Sequence, residues 1–208
     1  FIFIKSASKE TLFGISLKKK YPNRITLLVG NHDYGYIDSS ACSCRRDRMN
    51  YNEIQKIFTD NREQFLLADE IRIGDKHFIF SHAGISKKYA ELCFGEEINE
   101  DNIVDFFNNA WLTDNYGIMD SLGIYDYYRG WGGSDYASLI WADLAEWGDS
   151  ENTLSPQTGY GYMIFGHSQQ KKDPVIRDKF ACLDCRKVFY LDNDGNILKY
   201  SEKETDGE

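Results

Sequence analysis

The stretch Ile25-Thr-Leu-Leu-Val29 runs directly into Gly30-Asn31-His32-Asp33. An apolar, β-branched run that halts at a glycine and a polar cluster reads as a strand buried on both faces and ended by a sharp turn. The pattern recurs twice. His77-Phe-Ile-Phe80 stops at Ser81-His82-Ala83-Gly84, and Tyr162-Met-Ile-Phe165 stops at Gly166-His167-Ser168. Further strands are expected at Phe1 to Ile4, Phe180 to Leu183, Val188 to Leu191 and Ile197 to Tyr200. The last two flank a strong turn signal, Asp192-Asn-Asp-Gly-Asn196. Helices are expected between the strands. Ser8 to Lys20 closes on three lysines that suit a helix C-terminus, and Tyr51 to Phe58 and Asp101 to Trp111 are two more. Asp120 to Tyr136 is rich in Gly and Tyr and reads as an ordered loop. Strands mixed with helices predict an α/β layered domain.

A chain of 208 residues holds one sizeable core. Residues 1–200 are therefore expected to form one domain, with an acidic tail, 201–208, that frays. The 42% apolar and 27% charged fractions suit a globular protein. The net charge of -9 argues against a nucleic-acid partner, which needs a basic face. It does not exclude a phosphorylated substrate, because a bound cation reverses the local field. No apolar run reaches the roughly 20 residues that span a bilayer, and the start has no basic segment of a secretory signal. Five cysteines do not make a disulfide framework in a chain of this size, so a reducing, cytoplasmic setting is expected. Cys42-Ser-Cys44 and Cys182-Leu-Asp-Cys185 together have the count of a four-thiolate zinc site. The first spacing is tighter than zinc sites use, which favours structural roles.

Only four histidines occur, and three of them, His32, His82 and His167, follow the end of a predicted buried strand. Ligands of layered α/β folds bind beyond the carboxyl ends of strands. One histidine there reads as an ordinary surface or core residue; three point to a shared site. Imidazole nitrogens with an amide or carboxylate oxygen suit zinc, manganese or iron. A metal so held polarises a phosphoryl oxygen and lowers the pKa of a bound water.

In this order, Gly30-Asn31-His32-Asp33, Ser81-His82-Ala83-Gly84 and Gly166-His167-Ser168 resemble the later motifs of the calcineurin-like metallophosphoesterases. The single His of the last motif, with Leu139-Ile-Trp141-Ala-Asp143 before it, is similar to the phosphoprotein-phosphatase (Ser/Thr phosphatase-like) branch, most of all its bacterial and phage members. The resemblance covers roughly residues 1–192. It implies a four-layer α-β-β-α sandwich. It also implies that Asn31, His82 and His167 are metal ligands and that His32 is the general acid for the leaving-group oxygen. Arg129, in Tyr127-Tyr-Arg-Gly-Trp-Gly-Gly133, becomes the phosphate clamp, and Asp143 orients a ligand histidine. The implied cofactor is a divalent metal, manganese first, with iron or zinc as alternatives.

Two family motifs have no counterpart. Asp-X-His would lie upstream of Phe1. Gly-Asp-X-X-Asp-Arg-Gly would follow Ile4, where Lys5-Ser-Ala-Ser8 stands. The domain is thus expected to be incomplete at its N-terminal end, with half of a two-metal site. Three functions follow. The first is hydrolysis of phosphomonoesters, as on a phosphoprotein. The second is hydrolysis of a dinucleoside polyphosphate or another nucleotide, with the aromatic loop from Tyr125 to Trp131 stacking a base. The third is binding of a phosphorylated ligand or partner without turnover. ATPase and serine-hydrolase functions have no support, since there is no P-loop and no Gly-X-Ser-X-Gly elbow.

Overall fold

All three apolar runs that end at a histidine form strands, though of unequal length. The computed structural model describes residues 8–39, 41, 46–95, 99, 101–125, 135–148, 153–154 and 160–201. In chain order the strands are β1 (Leu27–Leu28), β2 (Phe65–Leu66), β3 (Ala68–Ile73), β4 (Lys76–Ser81), β5 (Tyr162–Phe165), β6 (Val175–Ile176), β7 (Phe180–Cys182), β8 (Phe189–Leu191) and β9 (Ile197–Lys199). Among the described residues there are six α-helices: α1 (Ser8–Lys20), α2 (Asn31–Ile37), α3 (Tyr51–Asp60), α4 (Lys87–Phe94), α5 (Ile103–Thr113) and α6 (Tyr116–Ser121). The fold is mixed α/β.

Five strands form the main sheet in the order β3-β4-β5-β7-β6. The three central strands are parallel, and both edge strands run antiparallel to their neighbours. Side chains alternate across this sheet, as a pleat requires. Ile79, Met163, Phe165 and Cys182 enter the main core with the helices, whereas Phe78, Phe80, Ile164 and Ala181 face the other way. That second face is covered in part by Leu191 and Ile197 of the β8–β9 hairpin. Burial on both faces is why the central strands are continuously apolar.

β3 escapes that logic. Its sequence, Ala-Asp-Glu-Ile-Arg-Ile, carries charge because it is an edge strand with exposed residues in its middle. No apolar run announces it. β1 is shorter than the run Ile25 to Val29 suggests. It pairs with β2 over two residues, and the Val29 amide adds a bond to the Leu66 carbonyl. The further strand expected at Phe1 to Ile4 lies outside the described residues, as do most of the tail and residues 126–134 of the expected loop. The start of that loop, Asp120 and Ser121, is the end of α6.

The helices follow local rules where the sequence supplies them. α1 occupies the expected span and ends in Lys18, Lys19 and Lys20. α5 buries Ile103, Val104, Phe107, Ala110 and Trp111, a stripe at helical spacing. α4 starts at Ser86, whose hydroxyl accepts the Tyr89 amide at 3.2 Å. The β2–β3 junction is held by Asn108 of α5, whose side chain bonds the amides of Leu67 and Ala68 and the carbonyl of Ala68. Among the described residues no helix is long and apolar enough to cross a membrane.

Candidate functional site

β4 and β5 lie parallel with Phe80 opposite Ile164, so their carboxyl ends emerge side by side. His82 follows β4 directly and His167 stands two residues past β5. The two turns are tied by the Gly166 amide, which donates to the His82 carbonyl at 2.9 Å. Asn31 arrives from the end of β1 as the first residue of α2. These three side chains meet. His82 Nε2 lies 3.0 Å from Asn31 Oδ1 and 3.0 Å from His167 Nδ1. His32 is the next residue of α2.

Local structure is spent on this meeting. His167 has φ 62°, a left-handed conformation that costs a non-glycine residue about 1–2 kcal/mol. Gly30 is extended, with φ -107° and ψ 171°, so its backbone would accept any residue. Its value is space: a Cβ there would fall 2.7 Å from His82 Cε1 and 2.8 Å from His82 Nδ1. Gly84 has φ 94°, and a Cβ there would fall 2.2 Å from Trp147 Cζ2. Its amide donates to Ser81 Oγ, which fixes the turn after His82. The Asp33 carboxylate accepts the Gly30 amide at 2.9 Å and closes the first turn of α2. Burial pushes the Asp33 carboxyl up to about 7, against the lowering effect of that amide.

Trp141 meets the His167 ring edge-on, with centroids 5.7 Å apart and planes at 82°. Tyr125 packs against Trp141 in turn, at 4.8 Å and 76°. Trp141 thus supports a ring of the cluster by packing. The Asp143 carboxylate accepts the Ala145 amide, as at a helix start. The Cys182 thiol donates to the carbonyls of Gly166 and Ser168, bracketing His167. Burial pushes this thiol up to about 11. Cys182 and Cys185 are buried free thiols. Arg129, Cys42 and Cys44 lie outside the described residues. His77, the fourth histidine, is remote in role: it is buried in β4 and its Nε2 meets Glu70 Oε2 at 2.8 Å.

The sequence predicts a sharp turn at Gly30, where the structure has extended backbone and space for His82, and it assigns nothing to Ser81 or Ser168 as turn clamps, or to Glu146. For Glu146 a signal existed. Asp143-Leu-Ala-Glu146 has the spacing of a capping box, and the Asp143 amide does donate to Glu146 Oε1.

The donor set suits a divalent cation. Two imidazole nitrogens and an amide oxygen are borderline ligands of manganese, iron or zinc. His82 Nε2 lies at hydrogen-bond distance from both neighbours. With Asn31 Oδ1 able only to accept, at most one ring proton serves the two contacts at His82 Nε2. Among the described residues, no group of three or more His, Cys, Asp or Glu is placed to hold a metal. The cluster has two such residues, and its third donor is an amide. No protein-family model, curated protein or solved structure matches the chain.

Proposed function

We propose that the chain is a divalent-metal-dependent phosphoesterase of the calcineurin-like type, acting on phosphomonoesters such as those of a phosphoprotein. The observation that carries this reading is the convergence of Asn31 Oδ1, His82 Nε2 and His167 Nδ1 at 3.0 Å contacts beyond three strand ends. The four-layer sandwich belongs to the same proposal, with the main sheet and the β1–β2 pair as parts of its two sheets. When bound, a divalent cation supplies Lewis-acid polarisation of a phosphoryl oxygen and a water of lowered pKa. Manganese suits the nitrogen and oxygen donors, with iron or zinc as alternatives. Asn31, His82 and His167 hold it. The space left at Gly30 and the backbone conformation at His167 keep these donors in place before substrate arrives.

His32 gives a proton to the leaving-group oxygen as the ester bond breaks. Arg129 pairs with the phosphate through its planar guanidinium, and Asp143 helps to orient the loop beside His167. The test is hydrolysis of p-nitrophenyl phosphate by the full chain with manganese. Turnover in wild type that His32→Ala abolishes is the expected result. No turnover with any divalent metal sinks the reading.

One observation favours a second reading. The described cluster has three donors and no carboxylate among them, which suits one cation better than a bridged pair. On that reading the chain binds a phosphorylated ligand through the cation without turnover. Metal binding and phosphate-ester binding, both without hydrolysis, would select it. A nucleotide panel beside p-nitrophenyl phosphate separates the nucleotide-hydrolase alternative.

A further inference from the structure

A buried carboxylate closes the loop that contacts both histidine turns. Glu146 is only 5% exposed, and both its oxygens accept backbone amides. Oε2 takes the Ala137 amide at 3.1 Å, and Oε1 takes the Asp143 amide at 3.0 Å. These amides are the two ends of segment 137–143, so one side chain clasps that loop shut. The loop touches both histidine turns. Its Leu139 carbonyl accepts the Ala83 amide, next to His82, at 2.9 Å. Trp141 lies edge-on against the His167 ring. Just past the clasp, the Leu144 amide donates to Ser168 Oγ, next to His167, at 2.9 Å.

We propose that Glu146 is a positioning residue for the candidate site: by closing loop 137–143 it sets the orientations of His82 and His167. The role of those rings as metal ligands rests on the function proposed above; the clasp itself does not. A carboxylate suits the task because each of its two oxygens can meet an N–H. Glutamine offers one oxygen, and its amide nitrogen would face the remaining N–H as donor against donor. Its bonds to the Ala137 and Asp143 amides act on the loop, and the loop carries the effect to the rings.

The experiment is Glu146→Gln, read by imidazole NMR on metal-free protein and by manganese titration calorimetry. His77 serves as the internal reference, since it sits within the sheet against Glu70. The expected result is a folded variant whose His82 and His167 ring resonances move while those of His77 stay. Manganese affinity should fall about 10- to 100-fold, the usual cost of losing a group that orients a ligand. A folded Glu146→Gln with wild-type His82 and His167 resonances overturns the proposal. Should that variant fail to fold, Glu146→Asp keeps both acceptor oxygens on a stem one methylene shorter and loosens the clasp. Shifted His82 and His167 resonances with His77 unmoved then support the proposal, and no shift in either ring overturns it. If wild type binds no manganese, the metal reading falls, while the ring resonances still decide the positioning role.

Discussion

Gly30→Ala separates the needs of the site from the needs of the fold. The backbone at Gly30 is extended, so alanine meets no conformational strain there. The whole effect comes from one methyl group. It would lie 2.7 Å from His82 Cε1, 2.8 Å from Nδ1 and 3.2 Å from Cγ. Restoring ordinary contact needs the ring to recede by about 0.7 Å. The far side of the ring is already engaged, since Nε2 touches Asn31 and His167. Overpacking of this kind costs about 1–3 kcal/mol. Loss of glycine's freedom in the unfolded chain returns about 0.4–1 kcal/mol. Net destabilisation should therefore be modest, about 0.5–2 kcal/mol by urea unfolding. Metal affinity should fall as well, about 10- to 100-fold, the usual cost when a ligand's orientation is disturbed. Manganese calorimetry beside the urea titration reads both quantities. A variant that matches wild type in affinity, whatever its stability, refutes the claim that Gly30 exists to admit His82.

His167→Gly should likewise cost the site more than the fold. Glycine removes the left-handed strain of about 1–2 kcal/mol but gives back up to about 1 kcal/mol of unfolded-state freedom and some packing on Trp141. Stability by urea unfolding should stay within about 1 kcal/mol of wild type while manganese binding disappears; a loss above about 2 kcal/mol would show that His167 is chiefly structural. Alkaline pH tests two buried acids. Burial pushes the Tyr89 phenol well up and the Cys182 thiol up to about 11, so both stay protonated in the fold after the unfolded chain ionises. Both folded values are raised, so their stability is fully present below about pH 9 and is lost as pH rises, at about 1.4 kcal/mol per pH unit for each group. Urea midpoints should fall between about pH 9 and pH 11. A midpoint that stays level across that window counts against the burial of both groups.

Much of the fold was legible because burial on two faces leaves a strong mark. β4, β5 and β7 are apolar at consecutive positions, and the helix at Ser8–Lys20 carries its own C-terminal lysines. What was missed had weak marks for physical reasons. β3 is an exposed edge and looks charged. β6 has only two residues. α2 begins inside a motif that reads as a turn, since Asn31 and His32 resemble loop residues until the buried Tyr34 and Tyr36 are counted with them. α4 is announced only by the Ser86 cap, and a lone serine is common.

The site was legible to the extent that chain order predicts space. Strand ends are neighbours in a parallel sheet, so His82 and His167 had to lie close once β4 and β5 were adjacent. Asn31 depended on more, because β1 pairs with β2 and not with β4. No sequence pattern states which nitrogen of each ring faces inward, and that choice turns three nearby residues into a donor set. It is made by packing: Gly30 leaves room on one side of His82, Trp141 lies against His167, and the left-handed turn at His167 aims its Nδ1 at His82. This sheet end gathers a strained histidine, a glycine that leaves space and a carboxyl whose burial raises its pKa to about 7. His167 holds a backbone conformation, and Asp33 a burial, that their residue types disfavour. Such concentrated cost is expected where a chain holds a site in readiness for a ligand.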